Sequence, residues 1–257
     1  MELLFLGCGT STGVPIVGCQ CDVCQSTDKR NKRFRSSVLV TLDNGHTILI
    51  DTSPDLRTQG IENGLTHIDS VFYTHIHADH IHGIDELRTY NYLQRSSIDV
   101  YGCKEHLDHI RKSFSYIFEE AIQRGGGKPL VDLKYIEANK SFELYDAEIT
   151  PIQCWHGKLT VIGYRIDNLV YLTDVSDIPE EAYQFLDGVD VLVLDALRYT
   201  PHPTHFTVDE AVQVAKRIGA RECYLTHMGH ELDYSELVSK LPEGVKPAHD
   251  GLCVKVK

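Results

Sequence analysis

The feature that most constrains this chain is a run of three histidines and one aspartate within six residues, His75-Ile76-His77-Ala78-Asp79-His80. It follows an apolar stretch, residues 71–73, that predicts a short buried strand. Imidazole and carboxylate groups are ligands that suit zinc, manganese or iron. His75 and His77, two residues apart, can point to one side, while Asp79 and His80 continue around the turn. The spacing therefore predicts two neighbouring metal sites.

Further residues of the metal-binding type stand at the ends of other predicted strands, namely Asp51, His156, Asp174 and His227. Alone, each is more often an ordinary loop residue whose hydrogen bonds are satisfied locally. Several strands that each present such a residue at one end indicate a common site. Asp51 has the position of a carboxylate that orients histidine ligands instead of binding the metal itself.

A second group of candidate ligands is the cluster Cys19-Gln20-Cys21-Asp22-Val23-Cys24. Three thiolates this close would repel one another or oxidise unless a cation neutralised them, and a structural zinc ion takes four ligands, with Zn–S distances of about 2.3 Å. The cluster predicts a small structural zinc-binding loop at residues 18–24, with a fourth ligand from elsewhere. Eight cysteines in 257 residues are too few for a disulfide scaffold.

Short strands and helices are predicted along the whole chain, without a linker or a low-complexity segment. Strands are predicted at 3–6, 37–42, 47–50, 71–73, 98–101, 133–136, 141–144, 148–154, 161–166, 169–173, 189–194, 222–226 and 253–256. One helix is predicted to start within residues 52–55, and further helices are predicted to span 83–93, 104–114, 178–186, 207–218 and 234–241. The helix at 207–218 is opened by a Thr207–Glu210 capping box. Each half runs from strands to helices, which predicts a single domain over residues 1–257, an α/β sandwich with layers in the order α, β, β, α.

Two glycine-rich stretches carry less information. Gly7 to Gly13 follows a strand, but its spacing, and Val14-Pro15 where a helix should begin, disfavour a dinucleotide site and favour a loop that lines the active site. Gly125 to Gly127 predicts a flexible connection, which we take as a candidate mobile lid.

The formal net charge is −12, whereas proteins that hold long nucleic acids usually carry a basic surface. We therefore expect a small substrate and no stable nucleic-acid complex. No run of about 18 apolar residues predicts a membrane span. The acidic N-terminus lacks the basic region of a signal peptide, so the cytoplasm is the expected location.

One dense basic run, Lys29 to Arg35, leads into a predicted strand. Such a run is usually a solvated loop. Because it enters a strand, Arg33 or Arg35 could also reach toward an anionic substrate. The sequence leaves these two interpretations open.

In the order of its motifs the chain resembles the metallo-β-lactamase superfamily. The resemblance covers essentially the whole chain and implies an αββα sandwich with a dinuclear metal site at one edge of its two sheets. It implies that one metal is held by His75, His77 and His156, that the other is held by Asp79, His80 and His227, and that Asp174 bridges them. Zinc, manganese, iron and nickel all accept this ligand set, so the identity of the two divalent ions stays open.

A narrower resemblance is to the PhnP family of phosphoribosyl cyclic phosphodiesterases. The motifs that carry it are Gly13-Val14-Pro15 and Gly18-Cys19-x-Cys21-x-x-Cys24. In that group a histidine three residues after the last dinuclear-site histidine completes a structural zinc site, and His230 has that position here. The resemblance also implies that His205 is a general acid, with His202 as the competing candidate. Relatives often pair, so a homodimer is an open expectation.

The resemblance implies a metal-dependent phosphodiesterase that hydrolyses a small phosphodiester, cyclic and of ribosyl or nucleotide type, with hydroxide held by the two metals. Asp79 and His205 would be the catalytic residues. The alternatives are an endoribonuclease like tRNase Z, although no long arm for tRNA is inserted, and a thioester or lactone hydrolase. A catalytically silent binding protein is least expected because all seven ligands are present. Residues 81–87 and 199–204 depart from the PhnP pattern, which leaves the natural substrate and pathway open.

Overall fold

Two β-sheets of seven strands each pack face to face. The computed structural model describes residues 1–119 and 127–257. In spatial order the first sheet contains β14 (Cys253–Lys255), β1 (Glu2–Gly7), β2 (Ser37–Thr41), β3 (Thr47–Ile50), β4 (Ser70–Phe72), β5 (Ile98–Cys103) and β6 (Val131–Ile136). The second contains β13 (Val245–Pro247), β12 (Glu222–Thr226), β11 (Val191–Asp195), β10 (Leu169–Leu172), β9 (Leu159–Ile166), β8 (Ala147–His156) and β7 (Phe142–Leu144).

Helices cover the outer faces of both sheets and complete the predicted αββα sandwich. They are α1 (Asp22–Gln25), α2 (Leu56–Glu62), α3 (Ala78–Ile81), α4 (Leu87–Gln94), α5 (Lys104–Ser113), α6 (Ser115–Phe118), α7 (Val208–Ile218) and α8 (Tyr234–Lys240). Leu56 and Ile110 pack against the first sheet, and Ala211 and Leu237 pack against the second. Among the described helices, none combines the length and the apolar character needed to cross a bilayer.

The inner strands of both sheets are buried on both faces, as the side-chain alternation of β1 shows. Leu3 and Phe5 belong to the core between the sheets, while Leu6 belongs to the core under the helices of the first sheet. Between the sheets, the rings of Phe72 and Tyr164 lie 5.1 Å apart. Burial on both faces explains why many strands are nearly continuous apolar runs.

The strand directions bring the polar strand ends to one edge of the sandwich. Strands β3 to β6 are mutually parallel, as are β10 to β13. Because β9 runs antiparallel to both β8 and β10, these two strands also end at the same edge. The hairpin predicted through Asp167-Asn168 is confirmed, and so is the Thr207–Glu210 capping box.

The structure differs from two of the predicted helices in part and from one predicted turn. The predicted helix at 83–93 begins as the 3₁₀ turn Ile84–Glu86 before α4, where Gly83 lies against the backbone: a Cβ on it would be 2.0 Å from the carbonyl oxygen of Ser53. The predicted helix at 178–186 is the 3₁₀ helix Glu180–Phe185, which follows Pro179. The turn expected around Asp79 is the short helix α3. Of the proposed lid, Gly125 and Gly126 lie outside the described residues.

Asp250 makes the stability of the fold depend on pH. Its carboxylate accepts hydrogen bonds from the backbone N–H groups of Cys8 (3.0 Å) and Phe34 (2.6 Å), and burial raises its pKa to about 7. The unfolded pKa is about 3.9. The folded chain therefore binds more protons between about pH 4 and pH 7, so the free energy of unfolding falls as the pH rises through that window.

Asp250→Asn removes this contribution. We expect the stability difference, wild type minus variant, to fall by about 2–3 kcal/mol between pH 5 and pH 8. Urea denaturation of both proteins at the two pH values measures it. The metal-site histidines titrate in both proteins and cancel in the difference. A difference that stays constant with pH would show that Asp250 is ionised throughout.

Candidate dinuclear metal centre

Three residues at the site edge have left-handed backbone conformations that non-glycine residues rarely adopt. The φ angles are 64° at Asp51, 56° at Asp174 and 57° at His227. Such conformations cost on the order of 1–3 kcal/mol each and persist where surrounding structure enforces them, often at functional sites. Asp51 follows directly after β3, and His227 follows directly after β12. Asp174 is separated from the end of β10 by one residue. The chain turns sharply here and keeps these side chains at the shared edge.

The structure brings together the first predicted ligand set. One ligand atom from each of His75, His77, His156 and Asp174 lies within 4.8 Å of all the others. The rings of His75 and His77 are 4.6 Å apart, and those of His77 and His156 are 5.0 Å apart. The first two histidines follow β4 in the first sheet, and the other two residues come from β8 and the end of β10 in the second.

The second predicted ligand set also converges, and it shares Asp174 with the first. Ligand atoms of Asp79, His80, Asp174 and His227 lie within 4.8 Å of one another. Nε2 of His80 is 3.1 Å from Oδ2 of Asp79 and 3.2 Å from Oδ2 of Asp174. Nδ1 of His227 is 3.1 Å from the same Asp174 oxygen. Asp174 therefore has the position expected of a bridging carboxylate.

The buried carboxylate of Asp51 orients histidines of both sets. It accepts a hydrogen bond from His80 Nδ1 at 2.7 Å and another from the Thr74 hydroxyl at 2.8 Å. Since the Thr74 hydroxyl donates to Asp51, its oxygen is left to accept from His75 Nδ1 at 3.0 Å. Both imidazoles thus carry their proton on Nδ1 and turn Nε2 toward the cluster. Asp51 therefore has the contacts expected of a carboxylate that orients histidine ligands, directly for His80 and through Thr74 for His75.

Unpaired polar atoms show that divalent cations fit these sets. His75 Nε2, His80 Nε2 and Asp79 Oδ2 are buried without a hydrogen-bond partner in the described part of the chain. An unsatisfied buried polar group costs about 1–3 kcal/mol, which coordination would remove. Burial lowers the pKa of His75 well below its usual value. Burial opposes ionisation of Asp174, but the charges of His227 and His80 outweigh it and hold its pKa well below normal.

The predicted structural zinc site is assembled around His230. Its Nδ1 lies 3.3, 3.4 and 3.6 Å from the sulfur atoms of Cys19, Cys21 and Cys24, respectively. Backbone N–H groups of Ile16 and Cys24 donate to the sulfurs of Cys24 and Cys21, each at 3.4 Å. Three sulfurs and one imidazole form a closed donor set that fits zinc. His230 therefore lies in the position expected of the fourth ligand that the cysteine cluster requires.

Cys19→Ser tests the zinc loop. Cys19 is partly exposed, so its loss should disturb packing little. We expect the variant to bind one zinc ion fewer per chain than the wild type and to melt at a lower temperature. Elemental analysis and thermal unfolding measure both. Cys253→Ser, at an exposed cysteine remote from the loop in sequence, is the matched control and should retain full metal content. Unchanged metal content in Cys19→Ser would argue against the site.

Arg33 does not face a substrate, which corrects one of the two expectations for the basic run. Its guanidinium is buried and donates to the carbonyl oxygens of Gly229 (2.8 Å) and Leu232 (2.6 Å). It therefore braces the segment that carries both His227 and His230. Unlike Arg33, Arg35 is partly exposed, and its guanidinium pairs with Asp55 at 2.8 Å.

His205 lies against both ligand sets and is held by Asp195. Its ring stacks on His227 at 4.7 Å and meets His156 edge-on at 4.6 Å. Nδ1 is 3.2 and 3.3 Å from the two carboxylate oxygens of Asp195, which is fully buried and also accepts from the Phe206 N–H at 3.0 Å. Burial lowers the pKa of His205, but the charge of Asp195 outweighs this effect and raises it above normal. Nε2 is left free to exchange a proton in the cleft.

His202 is the less suitable of the two candidate acids. Its ring lies 5.1 Å from that of His205, and burial lowers its pKa. Its Nδ1 accepts a hydrogen bond from the backbone N–H of Thr204 at 3.3 Å. No carboxylate contact holds His202 in the described structure, in contrast to His205.

Sequence reasoning missed four residues that contact the site. Thr10 and Ser36 place hydroxyl oxygens 3.3 Å from Nε2 and Nδ1 of His227, respectively. Thr74 relays Asp51 to His75, and Asp195 holds His205. Asp195 ends an apolar strand, as Asp51 nearly does, so the same reasoning would have found it. The three hydroxyl residues carry no comparable pattern.

Comparison with known proteins agrees with this geometry. Residues 46–228, which include every candidate ligand of the dinuclear centre, match the family described as Beta-lactamase superfamily domain. The chain belongs to the metallo-β-lactamase superfamily. It is 38% identical to a solved structure described as a new diphosphatase from the PhnP family, with a TM-score of 0.92, covering 100% of this chain and 98% of that one. Within the superfamily, it therefore falls in the PhnP family.

Two other relatives extend the comparison. The zinc-bound PqqB of Methylobacterium extorquens shares the fold, with 20% identity, a TM-score of 0.82 and full coverage of both chains. A protein of Porphyromonas gingivalis named octanoyltransferase is 38% identical over 254 residues, which are 98% of this chain and 51% of that protein. The chain spans about half the length of the curated relatives that it matches first.

Proposed function

We propose that this chain is a metal-dependent phosphodiesterase that acts on a small phosphodiester, cyclic and of ribosyl or nucleotide type. The observation that carries the proposal is the position of the Asp195–His205 pair against both ligand sets. Alkoxide leaving groups are strong bases and need a proton as they depart, and this pair can supply one. The likeness to a PhnP-family diphosphatase supports the same class of phosphorus chemistry.

Two divalent ions would be held by the ligand sets that share Asp174, and zinc or manganese, as well as iron or nickel, suit these donors. Such ions lower the pKa of a bound water and neutralise charge on phosphoryl oxygens. A third ion, zinc, would be held by the three cysteines and His230. Asp51 and Thr74 hold the imidazoles of His80 and His75 in the tautomers that turn Nε2 toward the centre.

Two residues of the chain, Asp79 and His205, would then orient the attacking water and donate a proton to the leaving group. Asp79, a member of the second ligand set, would accept a hydrogen bond from the attacking water with the carboxylate oxygen that does not serve as a ligand, and would so orient that water. His205 would enter the reaction as an imidazolium, stabilised by Asp195, and give its Nε2 proton to the departing alkoxide. Asp195 keeps the Nδ1 proton in place. The attacking water releases one proton to solvent, and Nε2 of His205 takes up one proton from solvent before the next turnover, so that the imidazolium is restored.

The test is hydrolysis of bis(p-nitrophenyl) phosphate after chelation and after re-addition of manganese, zinc, iron or nickel in turn. We expect release of p-nitrophenol that depends on added metal. If p-nitrophenol is released in this way, the next compounds to assay are a ribosyl 1,2-cyclic phosphate and a dinucleotide whose two nucleosides are joined through a diphosphate. Absence of release with every metal would overturn the proposal.

Thioester hydrolysis is the second candidate, favoured by the similarity to half of a protein named octanoyltransferase. The same pair of cations can direct water at a carbonyl carbon. Octanoyl-coenzyme A, assayed by thiol release, belongs in the same experiment. A thiolate is a better leaving group than an alkoxide and needs less proton donation. Thioester turnover that survives His205→Ala, without any phosphodiester turnover, would favour this candidate.

A further inference from the structure

We propose that Thr173 is a positioning residue that holds the carboxylate of Asp174 for the second ligand set and so controls how tightly that set binds its ion. The inference deepens the proposed function, because it rests on two divalent ions held at the dinuclear centre. It depends on the contact between the two side chains, on the way the Asp174 oxygens are divided between the ligand sets, and on a second threonine that lacks such a contact.

Thr173 makes a short, buried contact with the shared ligand. It lies between the end of β10 and Asp174 and is fully buried, and its hydroxyl donates to Asp174 Oδ2 at 2.7 Å. A hydrogen bond to an ionised oxygen is roughly twice as strong as one between neutral groups. In the described part of the chain, Thr173 is the one donor to this carboxylate that is not itself a candidate metal ligand. It would therefore still hold Asp174 once the surrounding histidines had bound metal.

The two oxygens of Asp174 face different ligand sets. Oδ2 lies 3.2 Å from His80 Nε2 and 3.1 Å from His227 Nδ1, and both histidines belong to the second set. Oδ1 lies 3.8 Å from Nε2 of His75, which belongs to the first set. The hydroxyl of Thr173 donates to Oδ2. We therefore expect its hydrogen bond to affect the ion of the second set more than the ion of the first.

Outer partners of the same kind hold other ligands of the centre. The Asp51 carboxylate accepts a hydrogen bond from His80 Nδ1 at 2.7 Å, and the carbonyl oxygen of Thr204 accepts one from His156 Nδ1, also at 2.7 Å. Removing such a partner typically costs about 10- to 100-fold in metal affinity. The shared carboxylate should be equally sensitive, because a rotated carboxylate would no longer present one oxygen to each set.

Thr226 provides a comparison within the same chain. Like Thr173, it is a fully buried threonine directly before a ligand, since it ends β12 and precedes His227. Its hydroxyl has no hydrogen-bond partner among the described residues. The two threonines thus share residue type, burial and place in the chain relative to a ligand, and they differ in the hydrogen bond. Replacement by valine removes the hydroxyl from either position with little change in size.

The experiment is a titration of the protein with Mn²⁺, in which electron paramagnetic resonance measures the free ion. Mn²⁺ prefers carboxylate ligands to thiolates, so it reports the dinuclear centre and not the zinc loop. We expect the wild type to bind two Mn²⁺ ions at the centre. Thr173→Val should weaken one of them by about 10- to 100-fold and the other by less than about threefold. Thr173→Ala should do the same, whereas Thr173→Ser, which keeps the hydroxyl, and the control Thr226→Val should bind both ions like the wild type.

His77→Ala identifies the ion that is affected, since His77 belongs to the first set alone. In that variant the second set should hold the tighter ion, and adding Thr173→Val should weaken that ion. The inference would be overturned if Thr173→Val bound both ions like the wild type, or if Thr226→Val weakened binding as much. Fewer than two Mn²⁺ ions on the wild type would refute the dinuclear centre itself. Two bound ions without phosphodiester turnover would refute the proposed function alone.

Discussion

Asp174→Asn is expected to reduce phosphodiester turnover by about a thousandfold or more. Asp174 belongs to both ligand sets, and divalent ions contribute several kcal/mol to such reactions, each 1.4 kcal/mol being tenfold in rate. Asparagine matches aspartate in size and tolerates the left-handed backbone at this position, so the fold should persist. The measurements are turnover, bound metal per chain and circular dichroism.

Asp177→Asn is the matched control for this prediction. Asp177 is an exposed aspartate three residues along the chain and belongs to neither ligand set. Its variant should keep both the activity and the metal content. An Asp174→Asn protein that folds, binds two active-site ions and turns over at the wild-type rate would exclude Asp174 as the bridging ligand.

His205→Ala is expected to have an effect that depends on the leaving group. With an alkyl phosphodiester the rate should fall by about a hundred- to ten-thousandfold, the usual contribution of a general acid. With p-nitrophenolate, which departs readily without a proton, the loss should be less than about tenfold. The measurement is the rate for a series of substrates whose leaving groups increase in pKa. The slope of the logarithm of the rate against the pKa of the leaving group should be steeper for His205→Ala than for the wild type. A wild-type rate with the alkyl ester would remove His205 from the mechanism.

Two further variants separate the role of His205 from its neighbours. Asp195→Asn keeps the shape of the side chain that contacts His205 but removes the charge that stabilises the imidazolium. We expect it to make the rate depend more steeply on the pKa of the leaving group, while KM changes little. His202→Ala should leave the slope near that of the wild type, because His202 lies farther from the ligand sets. A steeper slope in His202→Ala than in His205→Ala would exchange the two assignments.

Much of the centre could be predicted because strand ends are visible in a sequence. A buried strand is an apolar run, and a polar ligand directly after it must lie at the sheet edge. This reasoning locates His75, His156 and His227, which the structure places in two ligand sets that share Asp174. Parallel strands then collect these ends at one edge without any knowledge of the loops between them.

Other contacts depend on three-dimensional placement that local patterns do not encode. Arg33 and Arg35 are two residues apart in one basic run, yet Arg33 is buried against carbonyl oxygens and Arg35 is partly exposed and pairs with Asp55. Their environments are set by segments nearly 200 residues away in one case and 20 in the other. The hydroxyl of Thr74 likewise matters only because Asp51 lies 2.8 Å from it.

The zinc loop shows how chemistry can require a residue that the pattern does not locate. Three cysteines called for a fourth ligand, but its place in the chain came from family resemblance. His230 lies more than 200 residues after Cys19. The structure brings them together because Arg33 and β12 position the segment that follows His227.

Each ligand set takes residues from both sheets, with histidines after β4 in one sheet and Asp174 after β10 in the other. Neither half of the chain can offer a complete site before the two sheets have docked. We therefore expect metal coordination to form late in folding and to be largely absent from the transition state. Interactions of that kind slow unfolding and leave the folding rate almost unchanged. Bound ions would therefore lower the unfolding rate of this protein and lengthen the lifetime of the folded state, without raising the folding rate.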